Sequence, residues 1–298
     1  MKQIARPFLN LVAAALGLAA TAAALPAAAE IHLSVQDRDV ARMVSLGGSC
    51  NRCELSGRNL SGATFTGATF ISATLVGANL RGAEMTGSNF SSSDFSRADM
   101  RGVELNGANF TGALFIDATL TGAESSGAVF ARANLSRANL SSGELAGVNM
   151  NGAVLTDANM SSASLFGANL ANVSARNASF QSSEMQAANM GGGDFSGASF
   201  RNTSLENARF TGGSFSRANF AGASLRRTDI RGVDLSASTG LTQEQVGQAC
   251  ADAGTRLPHG LQAGVCRARL NVAPPAPPAP PRAPSPPHAP RQFAANDH

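Results

Sequence analysis

The sequence predicts an all-β solenoid made of short coils, and two periodicities support this prediction. Large apolar residues recur at every fifth position from 55 to 235, where 35 of the 37 positions hold Leu, Phe, Met or Ile. A step of five would scatter these side chains around an α-helix and would alternate them between the faces of a flat strand. A chain that turns through about 90° every five residues would bury all of them along one axis.

A second period, of twenty residues, indicates four sides to each coil. One repeat position carries glutamate: Glu84, Glu104, Glu124, Glu144 and Glu184. Another carries charges of alternating sign: Arg97, Asp117, Arg137 and Asp157. Four five-residue sides would place each set in one file along the axis, with neighbours about 4.8 Å apart. The Arg and Asp side chains would then form a ladder of opposite charges.

The repeat itself has a recognisable motif. Residues 133–142 read ANLSRANLSS, and GANL at 77–80 and GANF at 107–110 are variants of the same motif. The sequence resembles the pentapeptide-repeat family, in its exported bacterial type, whose repeat reads approximately A-[D/N]-L-x-x. The resemblance implies a right-handed quadrilateral parallel β-helix. It implies little about activity, because the family is functionally diverse.

The two ends of the chain differ from the repeats. Residues 1–29 combine Lys2 and Arg6 with an apolar run and the cleavage motif Ala27-Ala28-Ala29, which is the pattern of a secretory signal peptide. An uncleaved membrane anchor is the alternative, although the apolar run is short and rich in alanine. Residues 271–298 are rich in proline, which fixes φ and removes a backbone donor. We expect this tail to be disordered and extended, in the polyproline II conformation.

Short helical caps are expected at both ends of the repeats, which span residues 50–238, because an end coil would otherwise expose its core. Residues 30–49 would form the N-terminal cap, with a helix from Ser34 to about Leu46. Residues 239–270 would form the C-terminal cap, where Thr242 and Gln245 make a capping box that opens a second helix.

The four cysteines lie in two pairs, one at each end of the repeats: Cys50, Cys53, Cys250 and Cys266. Four thiolates suit zinc, but the stacked coils would hold the two pairs tens of ångströms apart. We therefore expect disulfides between Cys50 and Cys53 and between Cys250 and Cys266, as suits an exported protein. A redox role for the C-x-x-C motif is the alternative, although the βαβ context of thioredoxin is missing.

No catalytic motif emerges from the sequence. All four histidines lie outside the repeats, and none stands beside a Ser or Cys nucleophile motif. The sequence predicts a non-catalytic scaffold, periplasmic or extracellular, that binds an unidentified protein or supports envelope structure. It predicts no cofactor, no metal, no nucleic-acid partner and no membrane span once the signal peptide is removed.

Two alternative functions are weighed against that prediction. Some members of the family that the sequence resembles bind topoisomerases by mimicking DNA, which requires an acidic surface; residues 50–240 instead hold 14 Arg and 14 Asp plus Glu. The other alternative is an enzyme or a cation-binding protein that uses the stacked carboxylates of Glu84, Glu104, Glu124 and Glu144. Arg81 and Arg101 lie three residues before the first two glutamates and are expected to neutralise part of that file.

A candidate partner surface comes from the outward positions that follow each core residue. Most carry Ser, Thr, Arg or Asn, whereas Ile71, Val76, Ile116 and Phe166 are apolar. Val76 and Ile116 are forty residues apart, so they share one face two coils apart, about 10 Å along the axis. Ile71 and Phe166 fall on other faces. The pair Val76 and Ile116 is therefore the predicted apolar patch, opposite the glutamate file.

Overall fold

The computed structural model describes residues 48–262 and residue 264. Contacts divide the chain into residues 1–35 and 36–298, and every described residue belongs to the second unit. The expected signal peptide (1–29), the N-terminal helix from Ser34 to Leu46 and the proline-rich tail (271–298) lie outside the described residues.

The repeats form a continuous coil held by parallel bridges. From Ser49↔Thr69 to Asn219↔Thr239, each bridge joins two residues twenty positions apart. No strand in the described range is longer than one bridged residue, because the chain turns every five residues. The N–H of Phe110, for example, donates to the carbonyl of Val129 at 2.7 Å. The predicted coil of four five-residue sides is confirmed.

The interior contains two residues from each side. The large residue at every fifth position is buried, as is the small residue two positions before it, usually alanine. Phenylalanine rings stack from coil to coil: the centroids of Phe70 and Phe90 lie 4.9 Å apart, and those of Phe180 and Phe200 lie 5.2 Å apart. The predicted core register is therefore confirmed.

Each corner from residue 52 to residue 232 lies two residues after a core position and has a positive φ. Gly77 at 64°, Arg97 at 59° and Ser162 at 57° are examples. Glycine adopts this left-handed conformation without a Cβ penalty, which explains its frequency there. The corner N–H groups continue the ladder, since the Gly77 N–H donates to the Ser96 carbonyl at 2.9 Å.

Two core positions hold small residues, and neither disturbs the ladder. Ser125 donates its N–H to the Glu144 carbonyl at 2.7 Å, and Ala175 donates its N–H to the Asp194 carbonyl at 2.7 Å. The Ser125 side chain is fully buried, and its Oγ has no hydrogen-bond partner. The smaller side chains therefore leave the register unchanged, while Ser125 carries an unpaired hydroxyl into the core.

A single helix, α1 (Gln243–Gln248), covers the last coil in the described part of the chain. Thr242 and Gln245 form the predicted capping box, and Val246 is buried. Gln245 Nε2 also donates to the carbonyls of Phe220 and Ala223, at 2.8 and 2.7 Å. The helix thus supplies a donor to the Ala223 carbonyl, which a further coil would otherwise have bonded, and a second donor to the Phe220 carbonyl, which already accepts the Ala223 N–H at 3.0 Å. Beyond it, Asp229↔Cys250 and Asp234↔Arg256 extend the ladder in a shifted register.

Candidate functional site

Each coil presents four faces, which we number by their core residues. In the coil that begins at Leu114, faces 1 to 4 have core residues Phe115, Leu120, Ser125 and Phe130, and each face continues every twenty residues. On every face, the residues directly before and after the core residue point outward because side chains alternate along a short extended segment. These outward positions are where a ligand or partner would bind.

The glutamate file lies on face 3. Four of its members are exposed, and parallel β-bridges join their backbones from one coil to the next: Glu84, Glu104, Glu124 and Glu144. Thr64 Oγ1 donates to Glu84 Oε2 at 3.3 Å. No group of three or more His, Cys, Asp or Glu residues in the described ranges is arranged to hold a metal ion.

The expected neutralisation of this file by Arg101 is wrong. Arg101 pairs with Asp99 through Nε–Oδ1 and Nη2–Oδ2 contacts of 2.7 and 2.5 Å. Asp99 and Arg101 flank the buried Met100 and project from face 2, whereas Glu104 lies around the corner on face 3. The bond to Arg101 also lowers the pKa of the Asp99 carboxyl.

The alternating charges form a ladder at the corner between faces 1 and 2. Arg137 donates to Asp117 twice, Nε to Oδ1 at 2.6 Å and Nη2 to Oδ2 at 2.7 Å. The same bond lowers the pKa of Asp117. Asn177 Nδ2 extends the file by donating to Asp157 Oδ1 at 3.1 Å. The predicted ladder of opposite charges is therefore present in part: Asp117 and Arg137 form an ion pair, whereas no ion pair joins Arg97 to Asp117 or Arg137 to Asp157 in the described part of the chain.

The apolar patch on face 1 differs from the prediction. Val76 and Ile116 share a file, with Ser96 between them, but both are half-buried. The more exposed apolar residue on this face is Leu114, at 37%. Leu114 precedes its core residue, at a position where Asn, Asp, Ser, Thr and Glu predominate, so a survey of that position in the sequence would have found it. Leu114 and Ile116 together form the apolar pair of face 1.

Face 3 has a second feature where the glutamate file is interrupted. Ser164 takes the place between Glu144 and Glu184, and a groove of about 240 Å³ opens beside it. Phe166 lies two residues from Ser164 and is 57% exposed. All thirteen other phenylalanines in the described range are buried, so Phe166 is the one exposed aromatic ring there.

The cysteines at the two ends differ. Cys50 and Cys53 form a disulfide with their Cα atoms 5.6 Å apart. Cys250 is half-buried and forms no disulfide with any residue in the described range. Cys266 lies outside that range, so its pairing with Cys250 stays a prediction.

The fold and its faces define a repeat solenoid of five-residue sides, and comparison with known families agrees. The model of the pentapeptide repeats matches eight copies, over ranges that run from residue 49 to residue 236. The chain belongs to the pentapeptide-repeat family. No functionally curated protein is significantly similar to it in sequence.

Two solved structures are similar to the chain. HetL, a pentapeptide repeat protein involved in heterocyst differentiation regulation in the cyanobacterium Nostoc sp. strain PCC 7120, is 24% identical; the alignment covers 75% of this chain and 97% of HetL with a TM-score of 0.60. QnrB1, a plasmid-mediated fluoroquinolone resistance protein, is 21% identical over 64% of this chain and 92% of its own, with a TM-score of 0.45. The likeness to HetL supports the fold alone. Within the described residues, no helix has the length and apolar character needed to cross a membrane.

Proposed function

We propose that this chain is an exported, non-catalytic scaffold whose right-handed quadrilateral β-helix binds another protein through a side-chain face. The observation that carries the proposal is the apolar pair on face 1. Leu114 is 37% exposed, and Ile116 projects from the same side of the same coil. Both replace polar residues usual at their positions, so the repeat pattern itself does not require them.

A binding role has more support than a catalytic role. His259 is the only histidine in the described part of the chain, and it lies beyond the repeats. The outward positions of the repeats carry mainly Asn, Ser, Thr and paired charges, which offer hydrogen bonds without a nucleophile and its base. The equal numbers of Arg and acidic residues between 50 and 240 give DNA mimicry no support.

Export rests on the N-terminal sequence and on cysteine chemistry. The positive residues Lys2 and Arg6, the apolar run and the motif at 27–29 suit a secretory signal, and disulfides such as Cys50–Cys53 persist in oxidising compartments. Expression in a bacterium followed by fractionation tests this part. We expect a mature chain that begins at Glu30 in the periplasm or medium. Retention of an uncleaved chain in the membrane fraction would favour the anchor alternative.

The binding surface is tested by restoring the usual repeat residues. The double variant Leu114→Asn with Ile116→Ser matches Asn134 and Ser136, which occupy the same two files one coil later. We expect it to melt like the unmodified protein and to lose the partner in a pull-down from an envelope extract. Val129→Asn, which makes a similar change on face 4, is the control and should keep the partner. Recovery of every partner by the double variant would exclude face 1 as the binding surface.

A further inference from the structure

Face 3 carries a surface suited to a proline-rich segment that contains an arginine. Its outward positions from residue 64 to residue 206 include six glutamates and no Arg or Lys, and the last of these glutamates, Glu206, is paired with Arg226 of the following coil at 3.4 Å. The same stretch contains Phe166, the one exposed aromatic ring in the described residues. Proline-rich chains in the polyproline II conformation dock against aromatic rings, and guanidinium groups pair with carboxylates.

The local geometry brings these features together. Ser164 and Phe166 flank the buried Leu165, so both side chains project from face 3. The short Ser164 side chain leaves a gap between Glu144 and Glu184, and the groove opens at this gap. An arginine placed there would meet two carboxylates while a neighbouring proline lies on the Phe166 ring.

Gln186 adds an unmet acceptor at the same place. It lies one coil after Phe166, and its backbone carbonyl accepts the N–H of Gly167 at 2.9 Å. Its side-chain Oε1 is buried and has no hydrogen-bond partner. Buried polar atoms are nearly always paired, so this oxygen would gain a donor if the side chain turned outward towards an N–H group beside the ring.

The chain contains a matching segment of its own. Residues 274–284 read PPAPPAPPRAP, in which Pro281 directly precedes Arg282. Residues 265–298 contain four arginines and one acidic residue, a formal charge of 4 − 1 = +3. The segment is therefore complementary to face 3 in both charge and chemistry.

The last described residues before the tail are anchored to α1. Gln262 is held to α1 by Gln243, with Nε2 donating to the Gln262 carbonyl and the Gln262 N–H donating to Oε1, both at 2.9 Å. A second groove, of about 350 Å³, lies between α1 and face 3 and is lined by Ser224, Glu244 and Gln248. Bridges connect Ser224 to Ser164 through Ser204 and Glu184. Face 3 is thus continuous from the groove beside α1 to Ser164 and Phe166.

The distances permit the contact. Ser224 and Ser164 are three coils apart, about 14 Å along the axis. Arg282 is eighteen residues beyond Gly264, which in the polyproline II conformation spans up to about 56 Å. We propose that the tail around Pro281 and Arg282 binds in cis to face 3, with the arginine between Glu144 and Glu184 and the proline on Phe166. The tail would then act as a built-in ligand that an external proline-rich or cationic segment must displace.

Trypsin cleavage of the purified chain tests the proposal with an internal control. Arg282 and Arg291 each follow a proline and precede a residue other than proline, so trypsin should meet similar local sequences. Rates measured on a synthetic peptide of residues 273–298 correct for any intrinsic difference. We expect cleavage after Arg282 to be about tenfold slower than after Arg291, because protease acts on the undocked fraction.

Two variants separate docking from other causes of protection. Phe166→Ser, at an exposed position, should raise the Arg282 rate to that of Arg291, whereas Leu114→Ser on face 1 should leave it slow. Equal rates in the unmodified chain, or slow cleavage that Phe166→Ser does not relieve, would overturn the proposal. Protection that increases with protein concentration would also overturn it, because the occupant would then be the tail of a second copy.

Discussion

Phe110 stacks on Phe130 of the next coil, with ring centroids 5.1 Å apart and ring planes 15° apart. On its other side, Phe110 stacks on Phe90 at 5.8 Å, and its edge meets Phe95 and Phe115 of face 1 at 5.7 and 5.3 Å. A single ring therefore contacts aromatic neighbours in the coil before, its own coil and the coil after. Stability in this protein depends on such contacts between adjacent coils.

Replacing Phe110 with alanine tests this dependence. The change leaves a cavity, and the neighbouring rings cannot move in to fill it because each is stacked on further rings. We therefore expect Phe110→Ala to destabilise the protein by about 3–5 kcal/mol. Thermal or denaturant unfolding measures the loss. Phe166→Ala is the matched control, because its ring is 57% exposed, and it should cost far less. Similar melting shifts for the two variants would contradict the core register.

The buried hydroxyl of Ser125 predicts a stabilising substitution. Its Oγ has no partner, so Ser125→Ala removes an unsatisfied polar group, and we expect a gain of about 1 kcal/mol or more. Ser93→Ala should do the opposite, since Ser93 Oγ accepts from the Ala73 N–H at 3.0 Å and donates to the Phe70 carbonyl at 2.5 Å. Denaturant unfolding of both variants measures the two changes in stability. A loss of stability in Ser125→Ala would show that the Ser125 hydroxyl is hydrogen-bonded in the unmodified protein.

Leucine at position 125 should also be tolerated. Leu105 and Leu145 occupy the same core file in the adjacent coils, and the backbone of Ser125 keeps the regular ladder. We therefore expect Ser125→Leu to be neutral or stabilising in thermal unfolding. Strong destabilisation would mean that the neighbouring side chains have closed over the space.

The Arg137 and Asp117 pair predicts a titration change. The guanidinium holds the pKa of Asp117 below its ordinary value, so any stability it contributes is present above the unfolded pKa and is lost as the pH falls through the lowered folded pKa. Arg137→Gln should raise the pKa of Asp117 towards the ordinary value, as measured by NMR of the carboxyl carbon. Asp229, which pairs with Arg231, should titrate unchanged in the same variant. Because both partners are largely exposed, salt should weaken the effect.

The C-terminal helix predicts a local effect. Gln245→Ala removes the capping box and leaves the Phe220 and Ala223 carbonyls without their Nε2 donor, so we expect a loss of about 1–2 kcal/mol. Hydrogen exchange should accelerate first in the coil of Phe220. Gln248→Ala is the control, because its side chain has only a 3.4 Å contact with Glu244. Equal exchange in both variants would remove Gln245 from its capping role.

Sequence periodicity was sufficient to predict the coil, the core and the file of alternating charges, because residues twenty positions apart occupy the same place in successive coils. The surface was less predictable. Val76 and Ile116 were expected to be exposed, but outward side chains are partly covered by those of the coils on either side. Arg101 shows the other difficulty, because its pairing depends on the corner that separates it from Glu104 and not on their distance in sequence. Leu114 was missed for a simpler reason, since only the positions after each core residue were compared.

The groove at Ser164 was also beyond the sequence argument. Ser164 in place of a glutamate and the small residues Gly143 and Ala163 line it, and Phe166 lies two residues beyond Ser164 on the same face. The twenty-residue period already places Ser164 and Phe166 at the interruption of the glutamate file, but the groove that opens there depends on how far the flanking side chains extend.

The bridge between residue i and residue i+20 has a consequence for how such a chain can change during evolution. Removing or duplicating twenty residues changes the number of coils and leaves every later side chain on its original face. Removing five residues keeps the core pattern intact but rotates everything that follows by one side, which would continue the glutamate file of face 3 on a neighbouring face. Length and surface chemistry can therefore vary separately, and the size of an insertion or deletion decides which of the two is inherited unchanged.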